Sequence, residues 1–409
     1  MALIVQKFGG SSLATPEHII RVANTIAATR NRKNMVVVVV SAMGGETDRL
    51  LGLARALSLE PPEREQDALL ATGEQASAAL TAIALESIGC KACSFTGLQL
   101  PLLTDDNHTR ARIIDLSTEL LQKTLQDGIV PVVAGFQGVT ASGAVTTLGR
   151  GGSDTTAVAL AAVLKADLCE IYTDVDGVYT ADPALCPKAK HLQKITYEEM
   201  LELAGLGAKV LQIRSVEIAR KYKVPLLVRS SFGGNKSTWI VEEESEMESA
   251  VVNGITLDRS EAKMSVIGVP DRPGIAYRIL SPLAEAAINV DMIIQNASSD
   301  GHTDFTFTLP KADLAKADPL VQQVAREIAA AEVRTDDCIA KVSAVGIGMK
   351  NHPGVAAHIF KALADENINI QMISTSEIRV SCVVEAKYGE LAVRVLHDAF
   401  ELDKLGENK

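Results

Sequence analysis

From residue 1 to about 240, short apolar runs alternate with longer amphipathic stretches. ALIVQ, MVVVVV, GIVPVVAGF, CEIYT and VPLLV read as strands. PEHIIRVANTIAATR, DALLATGEQASAALTAIALESIG, RIIDLSTELLQKTLQDG, DTTAVALAAVLKA and YEEMLELAGLGAKVLQIRSVEIARKY read as helices. MVVVVV (Met35 to Val40) has no polar alternation, which suits a strand buried on both faces of a parallel sheet. Strand followed by helix, repeated, predicts an α/β domain with a mainly parallel sheet. The first helix carries start signals: Thr15 as cap, Pro16 in the first turn and Glu17 complementing the dipole. Ser153 or Asp154 is expected to cap the helix running from Thr155.

The pattern changes near residue 241, where VEEESEMES packs five glutamates into nine residues. It reads as a solvated connector. Beyond it the chain repeats itself: SVIGVPDRPGIAYRILSPLAEAAINVDMI (Ser265 to Ile293) matches SAVGIGMKNHPGVAAHIFKALADENINIQMI (Ser343 to Ile373), with an offset of 80 residues through RPG/HPG and INVDMI/INIQMI. Each copy reads strand, Pro-Gly turn, amphipathic helix, Ile-Asn, strand, then further strand patterns (TDFTFTL; IRVSCVV) and a last helix. Two copies are too few for a solenoid, so a pair of small α+β modules is expected. The boundaries that result are 1–245, 262–335 and 339–409.

Composition narrows the function classes. The 409 residues exceed one typical core, and 47% hydrophobic with 22% charged residues is an ordinary globular balance. A net charge of −11 without a dense Lys/Arg cluster argues against nucleic acid as a partner. The longest apolar run is far shorter than the roughly 20 residues that span a bilayer, so no membrane partner is expected. No basic-then-apolar segment opens the chain, and a cytoplasmic location is expected. Cys90 and Cys93 have C-x-x-C spacing, but no second pair or histidines follow at zinc spacing, so they are read as packing residues.

Four glycine clusters follow strands: KFGGSS (7–12), SAMGGETD (41–48), AGFQG (134–138) and TLGRGGSD (147–154). In a doubly wound sheet such turns converge on the edge where ligands bind, and glycine lets backbone N–H groups approach phosphate oxygens. KFGGSS is not a Walker loop, because its lysine precedes the glycines. Arg150 stands at a helix start, suited to gripping a carboxylate or phosphate, and a surface ion pair is its plainer alternative. Glu74, in ATGEQ, reads either as an acid favouring the first turn of its helix or as a partner for a substrate ammonium. TDVDGVYTADP (173–183) fails the calcium-loop pattern and reads as a strand end leading into a nucleotide-contacting loop. The seven histidines lie outside all of these, which argues against His-based acid–base chemistry. Phosphoryl transfer fits instead, since it asks for positioning, cations and backbone donors. A carboxylate acceptor is already ionised at neutral pH and needs no general base.

KFGGSS, SAMGGETD, ATGEQ, AGFQG, TLGRGGSDTTA, YTDVDGVYTADP and YEEMLELAGLGAKVL, in this order, resemble the amino-acid kinase family and within it the aspartate kinases. The C-terminal repeat resembles a tandem ACT regulatory pair. The resemblance implies an amino-acid kinase fold followed by two βαββαβ ACT-like domains. It implies transfer of the γ-phosphoryl of ATP, with Mg2+ held mainly by the ATP phosphates, to the β-carboxylate of L-aspartate, the first step towards lysine, threonine, methionine and diaminopimelate. By position, Lys7 would stabilise the moving phosphoryl group, with Phe8, Gly9, Gly10, Ser41 and Ser153 around the nucleotide and Gly9 and Gly10 donating N–H groups. Thr173, Asp174, Tyr179, Thr180, Asp182, Pro183 and Lys209 (placed at a helix start in LGAKVL) would also contact ATP. Thr47, Asp48, Glu74, Arg150, Gly151, Gly152 and Ser153 would bind aspartate, Glu74 through its ammonium and Arg150 through its α-carboxylate. Asp154 would orient Lys7 or the ammonium. Ser11 and Gln212 stand where the family often has Thr and His.

By the same resemblance, Asp271, Ile293, the Ile294–Gln295 turn and Ser299 would line an effector site with Val355, Ala356, Asn369, Ile370, Ser376 and Glu377. Lysine, threonine or both are the implied inhibitors, and the ACT modules the implied homo-oligomer contact. A homoserine dehydrogenase fusion is not expected, and an internal start near Met247 would yield a separate regulatory subunit. Two alternatives stay open: another kinase of the fold, acting on acetylglutamate, glutamate or UMP, and a non-catalytic amino-acid sensor.

Overall fold

The computed structural model describes residues 1–208, 210–243, 251–296 and 301–405, so Lys209, Met247 and Ser299 lie outside the described residues. The chain forms two compact units. The first comprises Met1–Val178, His191–Gly205 and Lys209–Met247; the second comprises Tyr179–Lys190, Leu206–Ala208 and Glu248–Lys409.

The first unit is built on an eight-stranded sheet. Its strands run, in spatial order, Lys194–Thr196, Ser237–Val241, Leu226–Ser230, Leu168–Thr173, Leu3–Phe8, Met35–Val40, Val130–Ala134 and Ala92–Phe95. Ser237–Val241 runs antiparallel to Leu226–Ser230, and the six strands from Leu226–Ser230 onward are parallel. Val36 to Val40 are buried because helices cover both sheet faces; β-branched side chains suit that doubly buried, pleated surface. Each such valine contributes roughly 1.5–3 kcal/mol of burial. The register aligns the strand ends: Phe8 faces Val40 and Tyr172, and Val40 faces Ala134. Chain segments from Gly9, Ser41, Gly135 and Asp174 onward therefore leave the sheet along one edge.

The helices of this unit are α1 (Pro16–Asn31), α2 (Glu46–Leu57), α3 (Glu63–Ser87), α4 (Glu119–Gln126), α5 (Gly152–Leu164), α6 (Tyr197–Gly205) and α7 (Ile213–Tyr222). Several differ from the sequence reading. RIIDLS holds a strand, Ile113–Leu116, before α4 begins, since Ile113 pairs with Thr104 in a small second sheet. The long stretch 197–222 breaks into α6 and α7. Residues 206–208 are not helical, so the helix start expected at LGAKVL is absent there. The helix of TLGRGGSD starts at Gly152, capped by Gly151 at φ +69°, a left-handed conformation that only glycine takes at no cost. α3 is long and apolar enough to cross a membrane, yet half of its most apolar window is buried inside the fold. Cys90 is buried behind α3, whereas Cys93, on an edge strand, is exposed rather than packed.

The second unit holds two four-stranded sheets. One has the order Ile293–Gln295, His302–Pro310, Glu261–Pro270, Glu332–Asp336, covered by α8 (Ile275–Glu285) and α9 (Leu314–Glu327). The other has the order Gly254–Asp258, Ile339–Val345, Arg379–Glu385, Met372–Thr375, covered by α10 (Val355–Asp365) and α11 (Gly389–Ala399). Gly274 and Gly354 take φ of +90° and +96°, which is what the Pro-Gly turns require to start α8 and α10. The fourth strand of the second sheet comes from Gly254–Asp258, upstream of the whole first module, and pairs antiparallel with Ile339–Val345. Lys341 joins the modules, buried between Glu261 and Asp291.

Candidate active site

Where the strand ends converge, a cavity of about 840 Å³ opens in the first unit. That falls within the usual range for a small-molecule cleft. Lys7, near the end of the first strand, is buried, and its Nζ lies 2.6 Å from Asp154 Oδ1 in the first turn of α5. The glycine loops bring backbone to its rim: Gly10, Gly44, Gly45, Gly149, Gly151 and Gly152 all line it. Gly10 is also required for packing, because a Cβ there would sit 2.9 Å from the Ala42 carbonyl.

Glu74 lines the same cavity with only 3% of its surface exposed. Since α3 begins at Glu63, Glu74 is mid-helix, and the reading as a first-turn acid falls. Its Oε1 accepts the Ala42 N–H at 3.0 Å, while its buried Oε2 has no hydrogen-bond partner. Burial raises its pKa to about 7, against the lowering pull of the Ala42 N–H. Arg150 lines the same cavity, exposed, with no ion pair among the described residues. Its carbonyl accepts the Gln212 side-chain amide at 2.7 Å. An orphaned carboxylate oxygen and an open guanidinium are the two complements of an α-amino acid.

The cavity also gathers Ser41, Thr47, Asp48, Ser153 and Asp174. Other expected contacts take different places. Phe8 is in the core, stacked on Tyr172 at 4.6 Å between ring centroids. The Gly9 N–H is held by the Tyr172 carbonyl at 3.2 Å, so it is not free for a phosphate. The glycines of AGFQG are absent from the lining; Gly135 makes room for Ser153, and Gly138 for Thr104 and Leu102. Thr173 donates its hydroxyl to Asp174 at 3.1 Å. Tyr179, Thr180, Asp182 and Pro183 belong to the second unit. There Thr180 is fully buried, its hydroxyl 2.9 Å from His397 Nε2 and accepting the Lys190 N–H at 2.8 Å.

In the second unit, Ile293–Gln295 is a strand paired with Phe305–Phe307, not a turn. Met292 and Ile294 pack with Met372 and Val383 of the other module, and Lys263 bonds Gln371. Asp271, Asn369, Ser376 and Glu377 are exposed, and Val355, Ala356 and Ile370 pack on the second module's core. Glu377 lies 3.8 Å from Lys350.

The chain matches the amino acid kinase family over residues 2–230 and ACT domains over residues 265–329 and 342–400. It is 56% identical over 404 residues to aspartate kinase Ask_LysC of Stutzerimonas stutzeri, covering 98% of each chain. It is 52% identical over 407 residues to the aspartokinase of Corynebacterium glutamicum, covering 98% of this chain and 97% of that one. The chain belongs to the aspartate kinases. Its fold is similar to E. coli aspartokinase III solved with aspartate and ADP in the R-state, with a TM-score of 0.81 and 26% identity over 97% of this chain and 99% of that one. The same relative solved with lysine and aspartate in the T-state gives a TM-score of 0.75.

Sequence reasoning missed several residues of this kinase's cavity. Phe136, at φ +69°, Thr109 and Thr147 line it, and Gln212 braces Arg150 from behind. Phe136 and Thr147 carried a signal through their places in AGFQG and TLGRGGSD, and Gln212 as a departure from the family pattern, whereas Thr109 carried none.

Proposed function

We propose that this chain transfers the γ-phosphoryl group of ATP to the β-carboxylate of L-aspartate, giving 4-phospho-L-aspartate and ADP, with the residue roles that follow. One observation carries the reading: a single cavity holds the Lys7–Asp154 pair, the half-satisfied Glu74 carboxylate and the open Arg150 guanidinium. Glu74 takes the substrate ammonium and Arg150 its α-carboxylate, which points the β-carboxylate towards Lys7. A β-carboxylate oxygen attacks the γ-phosphorus as the bond to the β–γ bridging oxygen breaks, and ADP leaves with that electron pair. No proton moves, which agrees with a site lined by no histidine. Lys7 neutralises charge on the equatorial oxygens of the moving group, and Asp154 holds its ammonium in place. Gly10, Ser41, Ser153 and Asp174 border the phosphates, and Thr47 and Asp48 the aspartate.

Magnesium enters as part of MgATP. Its ligands would be chiefly the ATP phosphate oxygens and water, as magnesium commonly keeps several waters and substrate phosphates. Effector binding belongs to the ACT modules, where Asp271, Ile293 to Gln295 and Ser299 of one module and Val355, Ala356, Asn369, Ile370, Ser376 and Glu377 of the other form the candidate site. Lysine and threonine are the effectors to test, and the modules the candidate contact of a cytoplasmic homo-oligomer. The domain division 1–245, 262–335 and 339–409 belongs to the same proposal. Coupled ADP release with aspartate, glutamate, acetylglutamate and UMP tests the assignment. Turnover with aspartate alone is expected; turnover with glutamate and none with aspartate overturns it.

A further inference from the structure

Asp67 is completely buried, at 0% exposure, and no role in the reaction accounts for it. It stands on α3 seven residues before Glu74, so the two carboxylates share one helix face about 10 Å apart along the axis. Its Oδ1 accepts the Thr147 hydroxyl at 2.5 Å. Its Oδ2 accepts the Thr109 N–H at 2.9 Å and lies 2.8 Å from His108 Nδ1. Three donors converge on one desolvated carboxylate, an arrangement worth far more than a surface pair.

What those donors carry is the wall around Arg150. Thr109 and Thr147 both line the cavity. Thr147 ends the strand Val145–Thr147, and the chain runs directly through Leu148 and Gly149 to Arg150. The Thr147 carbonyl accepts the Ala111 N–H at 2.9 Å, which ties the 108–111 segment to the same strand end. Gly149 packs against the Thr109 carbonyl, where a Cβ would come within 3.0 Å. Thr109 holds φ +65°, a left-handed conformation that costs a β-branched residue roughly 1–2 kcal/mol unless its surroundings impose it. The charge-assisted bond from its N–H to Asp67 is of the strength needed to offset that cost.

We propose that Asp67 is a positioning residue for the α-carboxylate subsite, fixing the root of Arg150 through Thr147 and Thr109 without touching substrate. This rests on the assignment of Arg150 to the α-carboxylate. Two aspartate fragments separate the effects: succinate keeps both carboxylates and lacks the ammonium, whereas β-alanine keeps the ammonium and lacks the α-carboxylate. In the full-length enzyme, Asp67→Ala is expected to weaken inhibition by succinate at least tenfold and to change inhibition by β-alanine less than twofold. kcat and the KM for ATP stay within twofold, and the KM for aspartate rises with the succinate constant. Asp67→Ser, which removes the carboxylate and lies outside the cavity lining, carries the same test if Asp67→Ala fails to fold. Asp67→Asn, which keeps the shape and most of the bonds, restores succinate binding. A purely structural role would weaken both fragments alike, and that outcome overturns the inference, as does parental succinate binding in both Asp67→Ala and Asp67→Ser. Arg150→Ala separates the two layers. If it discriminates against succinate while the Asp67 variants do not, only the positioning role falls; if it does not discriminate, the Arg150 assignment falls and takes the inference with it.

Discussion

Glu74→Gln is expected to make the substrate-free enzyme more stable and much less able to bind aspartate. In the folded protein the carboxyl pKa stands at about 7, against an ordinary value of 4.5, because the ionised form is buried with one oxygen unpartnered. That difference corresponds to about 3 kcal/mol of strain on the ionised state. The sign follows from a raised folded pKa: the group's contribution is fully present below about pH 4.5 and is lost as pH rises through about 7. Glutamine mimics the neutral acid, and its amide oxygen can keep the Ala42 N–H. The variant should therefore gain up to about 3 kcal/mol at pH 8, or roughly 6–10 °C in the melting transition of the first unit, and almost nothing at pH 4.5. Differential scanning fluorimetry of both proteins at the two pH values reads this directly. Aspartate binding should weaken about a hundredfold, since the ammonium then faces a neutral amide in a buried place. In the parent, binding near pH 7 should release about half a proton, measurable by calorimetry in buffers of different ionisation enthalpy. An equal gain in stability at both pH values, or unchanged aspartate affinity, would refute the reasoning.

Three further expectations follow from the same contacts. Lys7→Ala should lower kcat by about 10²–10³ with little change in the KM for aspartate, because its charge serves the phosphoryl group; steady-state kinetics at saturating ATP decide it. Gly151→Ala puts a Cβ about 2.5 Å from the Gln212 side chain at φ +69°, so the variant should lose about 1–3 kcal/mol and bind aspartate more weakly, as urea unfolding and KM will show. Lys341→Met strands Glu261 and Asp291 without their cation and should destabilise the second unit by about 3–5 kcal/mol, while Lys341→Met combined with Glu261→Leu should recover most of it in the same unfolding assay.

The parts of this enzyme that could be read from sequence are those set by local chemistry. MVVVVV announces a doubly buried strand because nothing in it is polar, and the Pro-Gly turns announce their helices because only glycine relaxes at the φ they need. The cavity was legible as an edge lined by glycine loops, with Lys7, Glu74 and Arg150 on it. What was not legible depends on partners far away in sequence. The Gly9 N–H looked free for phosphate until Tyr172 was found to claim it. RIIDLS has an apolar pattern that fits a helix, and only pairing with Leu102–Thr104 makes part of it a strand. Asp67 lies in a run of ordinary helix residues, and its importance exists only once Thr109 and Thr147 arrive beside it.

The strand Gly254–Asp258 imposes an order on folding. It is synthesised roughly eighty residues before Ile339–Val345, its neighbour in the sheet, with the first ACT module between them. During translation the flank that later meets Ile339–Val345 waits open to mispairing with another chain, although the Ile255 N–H has an upstream partner in the Thr180 carbonyl, 2.7 Å away in the folded chain. A gene cut downstream of residue 258 would carry both repeats in full and still leave Ile339–Val345 with a bare flank. The second module is thus completed late and at long range, which makes it the slow step in assembling the regulatory half.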